Sequence, residues 1–90
     1  MNSTKVEYKD KIEWYNEKGE CHRTDGPAVE WSDGTKFWFL NGEYHREDGP
    51  AIEWSFFDGS KEWYLNGKEY SKEQWGKEVI RIKLKRLSEL

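Results

Sequence analysis

Ninety residues make one domain, short enough to bury only ~60–65% of the surface its unfolded chain exposes. Charged residues reach 37% and aromatics 17%, with six Trp, so the core is expected to be built from rings, and the net charge of −3 divides into −6 over residues 1–70 and +3 over residues 71–90. The single Cys21 excludes an internal disulfide or a cysteine zinc site and fits a reducing cytoplasm; no apolar run approaches a membrane span, and MNSTKVEYKD lacks the apolar region of a signal peptide.

In chain order the elements repeat. Val6-Glu7-Tyr8 predicts a strand, Lys9-Asp10-Lys11 a turn, Ile12-Glu13-Trp14-Tyr15 a second strand, and Asn16-Glu17-Lys18-Gly19 a closing turn. HRTDGPAVEW at 22–31 then returns as HREDGPAIEW at 45–54, identical at eight of ten positions and offset by 23, which marks a repeat protein. Val29-Glu30-Trp31, Ser32-Asp33-Gly34-Thr35, the strand 36–40 and Asn41-Gly42 form the second unit. Ile52-Glu53-Trp54, a turn lengthened by Phe56-Phe57, the strand 62–65 and Asn66-Gly67 form the third. The units cover about residues 6–23, 24–46 and 47–70. Asp-Gly and Asn-Gly between apolar residues signal hairpins, because Asn, Asp and Gly tolerate positive φ. Ser71 with Gln74 has the form of a capping box, and the apolar stripes Trp75, Val79, Ile82 and Ile80, Leu84, Leu87 predict a helix over about 72–87. The fold expected is mainly β: an antiparallel meander of three ~23-residue hairpin repeats, with a C-terminal α-helix capping the array or covering its Trp face.

Taking Asp33-Gly34 as a two-residue loop places Val29 opposite Trp38 and Trp31 opposite Lys36. One face then carries Val6, Tyr8, Ile12, Trp14, Val29, Trp31, Trp38, Leu40, Ile52, Trp54, Trp63 and Leu65 as the core. The other carries Glu7, Glu30 and Glu53 beside Tyr15, Phe37, Phe39 and Tyr64, and aromatics on an outer face suggest a partner-binding surface. Rings also fit any pleated surface.

The segment WFLNGEYHREDGPAIEW with its following Asp-Gly turn resembles a MORN repeat, and the HRxDGPA form is similar to repeats of uncharacterised bacterial and bacteriophage proteins. The resemblance covers residues 6–70 and implies an elongated β-meander acting as a scaffold, dimerisation module or lipid contact. Pro27, Pro50 and the C-terminal helix depart from the family pattern.

His22, Arg23, His45 and Arg46 are candidate ligands for a small anion or nucleotide. Each residue of the phrase also has a structural use: Asp-Gly as turn, Pro as strand start, Arg paired with Asp, His on a turn carbonyl. Two histidines supply too few ligands for a metal, and no phosphate loop, nucleophile elbow or cofactor motif is present. The basic tail with Arg81, Lys83, Lys85 and Arg86 offers a nucleic-acid or membrane contact, which the acidic body opposes. The reading is a non-enzymatic, cofactor-free, cytoplasmic interaction module. It is taken as phage-encoded, binding and inhibiting a host protein, one class being a defence factor. The strand 5–9 is an expected free edge and points to a homodimer.

Overall fold

The computed structural model describes residues 3–56 and 58–89. The strands are β1 (Thr4–Glu7), β2 (Lys11–Tyr15), β3 (Val29–Trp31), β4 (Lys36–Phe37), β5 (Phe39–Leu40), β6 (Glu43–Tyr44), β7 (Ile52–Glu53), β8 (Lys61–Leu65) and β9 (Lys68–Tyr70). One helix follows, α1 (Lys72–Ser88). Seven strands form an antiparallel sheet in the order β1-β2-β3-β4-β7-β8-β9, and β5-β6 form a small second sheet. The mainly β meander with a C-terminal helix is therefore as the sequence predicts. Phe57, half of the insertion in the third turn, lies outside the described residues.

The register differs from expectation. Val29 stands opposite Phe37 and Glu30 opposite Lys36. The reason is the turn: Trp31 N–H donates to Thr35 O at 2.9 Å, leaving a three-residue loop in which Gly34 takes φ +98. That is a bulged loop, and the extra residue shifts every later side chain to the opposite face. Unit one departs in the other direction, since Tyr8 N–H donates to Lys11 O across a two-residue loop. The Asn-Gly turns do have the expected double positive φ, 51 and 82 at Asn41-Gly42 and 51 and 81 at Asn66-Gly67.

Opposed residues share a face, so two rows can be followed across the sheet. One runs Val6, Glu13, Val29, Phe37, Ile52, Glu62. The other runs Glu7, Ile12, Glu30, Lys36, Glu53, Lys61. The twelve side chains expected on one face are therefore split: Val6, Tyr8, Val29, Trp31, Ile52 and Trp54 lie with the first row, Ile12, Trp14, Trp38, Trp63 and Leu65 with the second, and Leu40 lies in β5 of the small sheet.

Burial is deepest at small residues rather than at rings. Ala28 and Ala51 are 0% exposed, and Val29, Ile52, Leu65 and Val79 are buried. Each Ala of the repeated phrase is a junction of three chain segments. Ala28 N–H donates to Phe37 O and its carbonyl accepts from Trp14 N–H, both at 2.8 Å; Ala51 N–H bonds Glu62 O at 2.9 Å and its carbonyl accepts from Trp38 N–H at 2.7 Å. At Trp38 the strand exchanges partners, since its own carbonyl accepts from His45 N–H of the returning segment. A larger side chain at the Ala positions would have to displace backbone.

Ser71 caps α1, its hydroxyl accepting from Gln74 N–H at 3.1 Å. The helix packs on β8 and β9, where Trp75 lies on Trp63 with ring centroids 4.6 Å apart. Trp75 Nε1 donates to Arg46 O at 2.9 Å, and Val79 is buried beneath the helix. The stripe of Ile80, Leu84 and Leu87 faces solvent.

Candidate functional site

The repeated phrase builds the same structure twice, and each of its residues has a mechanical use. The Arg46 guanidinium lies 3.7 Å above the Trp38 ring, and Arg23 lies 4.3 Å above Trp14. Arg46 Nε donates to Asp48 at 2.8 Å, and its Nη1 reaches Pro50 O at 3.1 Å and Glu53 at 2.9 Å. Arg23 repeats this with Asp25 at 2.9 Å and Pro27 O at 3.2 Å, but Glu30 stands off at 3.8 Å. Gly26 and Gly49 carry no positive φ, so turn geometry does not require them. They are required by the arginine: a Cβ at Gly49 would sit 2.8 Å from Arg46 Cζ, and one at Gly26 2.9 Å from Arg23 Cζ. Each guanidinium is thus held between an indole face and a glycine.

The histidines are acceptors, not donors to a turn carbonyl as expected. His22 Nδ1 accepts from Asn41 N–H and His45 Nδ1 from Asn66 N–H, both at 2.9 Å. Each ring ties its own unit to the positive-φ residue of the next unit's turn. With Nδ1 accepting, the other ring nitrogen, Nε2, is the one that donates to Glu47, at 2.9 Å.

A cleft of about 660 Å³ lies between these turns and α1, lined by Arg23, Trp38, Leu40, Arg46, Lys83 and Arg86 among others. Three of its four cations are already matched: Arg23 by Asp25, Arg46 by Asp48 and Glu53, Arg86 by Glu47. These pairs offset most of the positive charge of the cleft lining. Among the described residues no group of His, Cys, Asp and Glu is placed to hold a metal, and no helix is long and apolar enough to cross a membrane. Burial pushes the Cys21 thiol up, the direction opposite to nucleophile activation.

Arg86 grips Glu47 with both Nη atoms at 2.7 Å, and this pairing, reinforced by His45, holds the Glu47 carboxyl below its ordinary 4.5. A depressed carboxyl stabilises the fold above its unfolded-state value and loses that contribution as pH falls through its folded-state value. Wild type is accordingly expected to melt above Glu47→Gln at neutral pH. The gap should be complete above pH 4.5 and close on further acidification, as read by thermal melts across pH. A gap independent of pH would show that the charge of Glu47 does not hold α1.

The remaining candidates divide by face. Glu7, Glu30 and Glu53 do not stand beside the aromatics: they share the helix side with Lys36 and Lys61, and pair with Lys5, Arg23 and Arg46. Phe37, Phe39 and Tyr64 are on the opposite side, and Tyr44, Trp54 and Phe56 complete their cluster. Phe39 stacks on Tyr44 at 4.3 Å, Tyr44 meets Tyr64 at 5.0 Å, Phe37 meets Trp54 at 5.3 Å, and Trp54 meets Phe56 at 5.2 Å. Burial pushes the Tyr44 and Tyr64 hydroxyls up. Tyr15 is on this side but apart from the cluster, its hydroxyl bonded to Glu13 and near Tyr8. Tyr44 was hidden in the sequence because it follows an Asn-Gly turn on a strand of two residues.

No protein-family model matches the chain, and neither a curated protein nor a solved structure matches it.

Proposed function

We propose that this chain is a MORN-like, non-enzymatic interaction module that holds another protein against its aromatic face. The observation that supports this is the continuous ring cluster Phe37, Phe39, Tyr44, Tyr64, Trp54 and Phe56 on the side of the sheet turned away from α1. Phe56 is 45% exposed and the others are half-buried, so the patch combines firm seating with accessible area. Aromatic anchors of this kind dominate protein interfaces. The acidic body, net −6 over residues 1–70, suits a partner whose apolar patch has a basic rim. The likeness to bacteriophage repeats makes a host protein the partner to seek, with inhibition of that protein the expected outcome.

Affinity capture from bacterial lysate with quantitative mass spectrometry tests this. The wild type should enrich one protein that Phe39→Ala/Tyr64→Ala and the exposed-site variant Phe56→Ser both lose. Truncating an anchor costs about 2 kcal/mol, roughly a thirtyfold loss of affinity. Circular dichroism checks that each variant is folded. Equal enrichment by wild type and folded variants would refute the aromatic face as the contact.

A further inference from the structure

The strand at one margin of the sheet carries a self-complementary pattern. β1 pairs with β2 on one side, and among the described residues no strand pairs with its other side. Its backbone alternation follows from two bonds. Tyr8 N–H donates inward to Lys11 O, so Val6 and Thr4 also point inward. Trp14, opposite Lys5, donates away from β1 to Ala28 O, which makes Lys5 and Trp14 a non-hydrogen-bonded pair. The N–H and C=O groups of Lys5 and Glu7 therefore point outward, unused by the sheet.

An antiparallel partner must align outward residues with outward residues. If that partner is a second copy, three two-fold registers set the outward residues Lys5 and Glu7 of the two copies against one another. An axis at Lys5 sets Lys5 against Lys5, and an axis at Glu7 sets Glu7 against Glu7. An axis at Val6 sets Lys5 against the second copy's Glu7 on both sides, with Val6 against Val6. Only the last matches charge across the strands. It also uses every outward backbone group of Lys5 and Glu7, as reciprocal N–H···O=C pairs.

From this palindrome of charge and hydrogen-bonding direction, we infer that the protein forms a two-fold dimer through β1, with the axis at Val6. The contact is isologous and closes on itself, so it ends at two copies. The axis is perpendicular to the sheet, which keeps the two aromatic faces on one side of a continuous sheet of fourteen strands, twice the seven of one copy. The Lys and Glu side chains of the edge, which discourage pairing with arbitrary strands, become the recognition element for this one.

The inference is independent of the proposed function and is tested by mass in solution. Sedimentation equilibrium of the full chain in the micromolar range should give twice the 10.9 kDa of one copy. Glu7→Pro removes only an outward N–H, so it should preserve the circular dichroism spectrum and lose the dimer. Lys5→Glu and Glu7→Lys should each be monomeric alone, because each sets like charges opposite one another. Mixed in equal amounts they should regain the dimer mass. A wild type that stays monomeric throughout overturns the inference, as does a dimer that persists in Glu7→Pro or a charge-swapped pair that fails to reassociate. Should Glu7→Pro unfold, the charge-swap mixture decides alone.

Discussion

Trp75→Ala is expected to melt α1 off the sheet and lower stability by about 3 kcal/mol, on the order of 15 °C in a domain of this size. The loss combines three contributions. Trp75 gives up its packing on Trp63 at 4.6 Å, its Nε1 bond to Arg46 O at 2.9 Å, and the apolar cover it shares with buried Val79. Stacking beyond area contributes ~0.5–1.5 kcal/mol and the hydrogen bond ~1 kcal/mol. The helix has little to fall back on. Its 17 residues include Gly76, its stripe of Ile80, Leu84 and Leu87 is largely exposed, and an isolated helix of this length is marginal in water. Far-UV circular dichroism should therefore lose helical signal in Trp75→Ala at temperatures where the wild type keeps it. Trp75→Phe keeps a ring and should lose roughly 1 kcal/mol, the hydrogen-bond share. An unchanged helical signal with Tm within about 2 °C of wild type would show that Trp75 does not dock the helix.

Arg46→Ala is the second large effect, about 3 kcal/mol from loss of the Trp38 stack and of the charge-assisted bond to half-buried Glu53. Arg46→Lys should recover less than half of that, because an ammonium cannot reach Asp48, Pro50 O and Glu53 from one plane. Gly49→Ala should reproduce much of the loss without touching the arginine, since the new methyl occupies the guanidinium's place. The two changes should then be non-additive in a double-mutant cycle, as expected for one shared interaction. Arg23→Ala provides the internal scale: with Trp14 at 4.3 Å and Glu30 at 3.8 Å, it should cost roughly half as much. Additive Arg46 and Gly49 effects, measured by urea denaturation, would dismiss the sandwich as a unit.

The repeat, its Asn-Gly turns and the helix were legible because each depends on neighbours in sequence. Facing was not, for two physical reasons. Asp33-Gly34 can supply positive φ in a two-residue loop or at the third place of a bulged one, and the dipeptide is the same in both. Alternation also lost its usual meaning, because both sides of this sheet carry rings: indoles under arginines on one, Phe and Tyr on the other. Hence alternation puts Glu30 and Glu53 on the aromatic face, whereas they balance arginines across from it. The roles of His22 and His45 were out of reach, because their partners, Asn41 N–H and Asn66 N–H, belong to the next unit.

The histidine links between units also govern how the molecule can change length. A unit gives its successor a histidine acceptor and the carbonyl of Cys21 or Tyr44 for the next glycine N–H, and receives the same kind of bonds from its predecessor. Donor and recipient surfaces are therefore interchangeable along the chain, like links of one gauge. Duplicating residues 24–46 in tandem would present every new group with a ready counterpart, whereas deleting half a unit would strand partners on both sides of the cut. Growth stops at the third link for a local reason: where the next arginine would cover an indole, Trp75 lies on Trp63 instead. The helix thus takes, on the third unit, the place that an arginine takes on the first two.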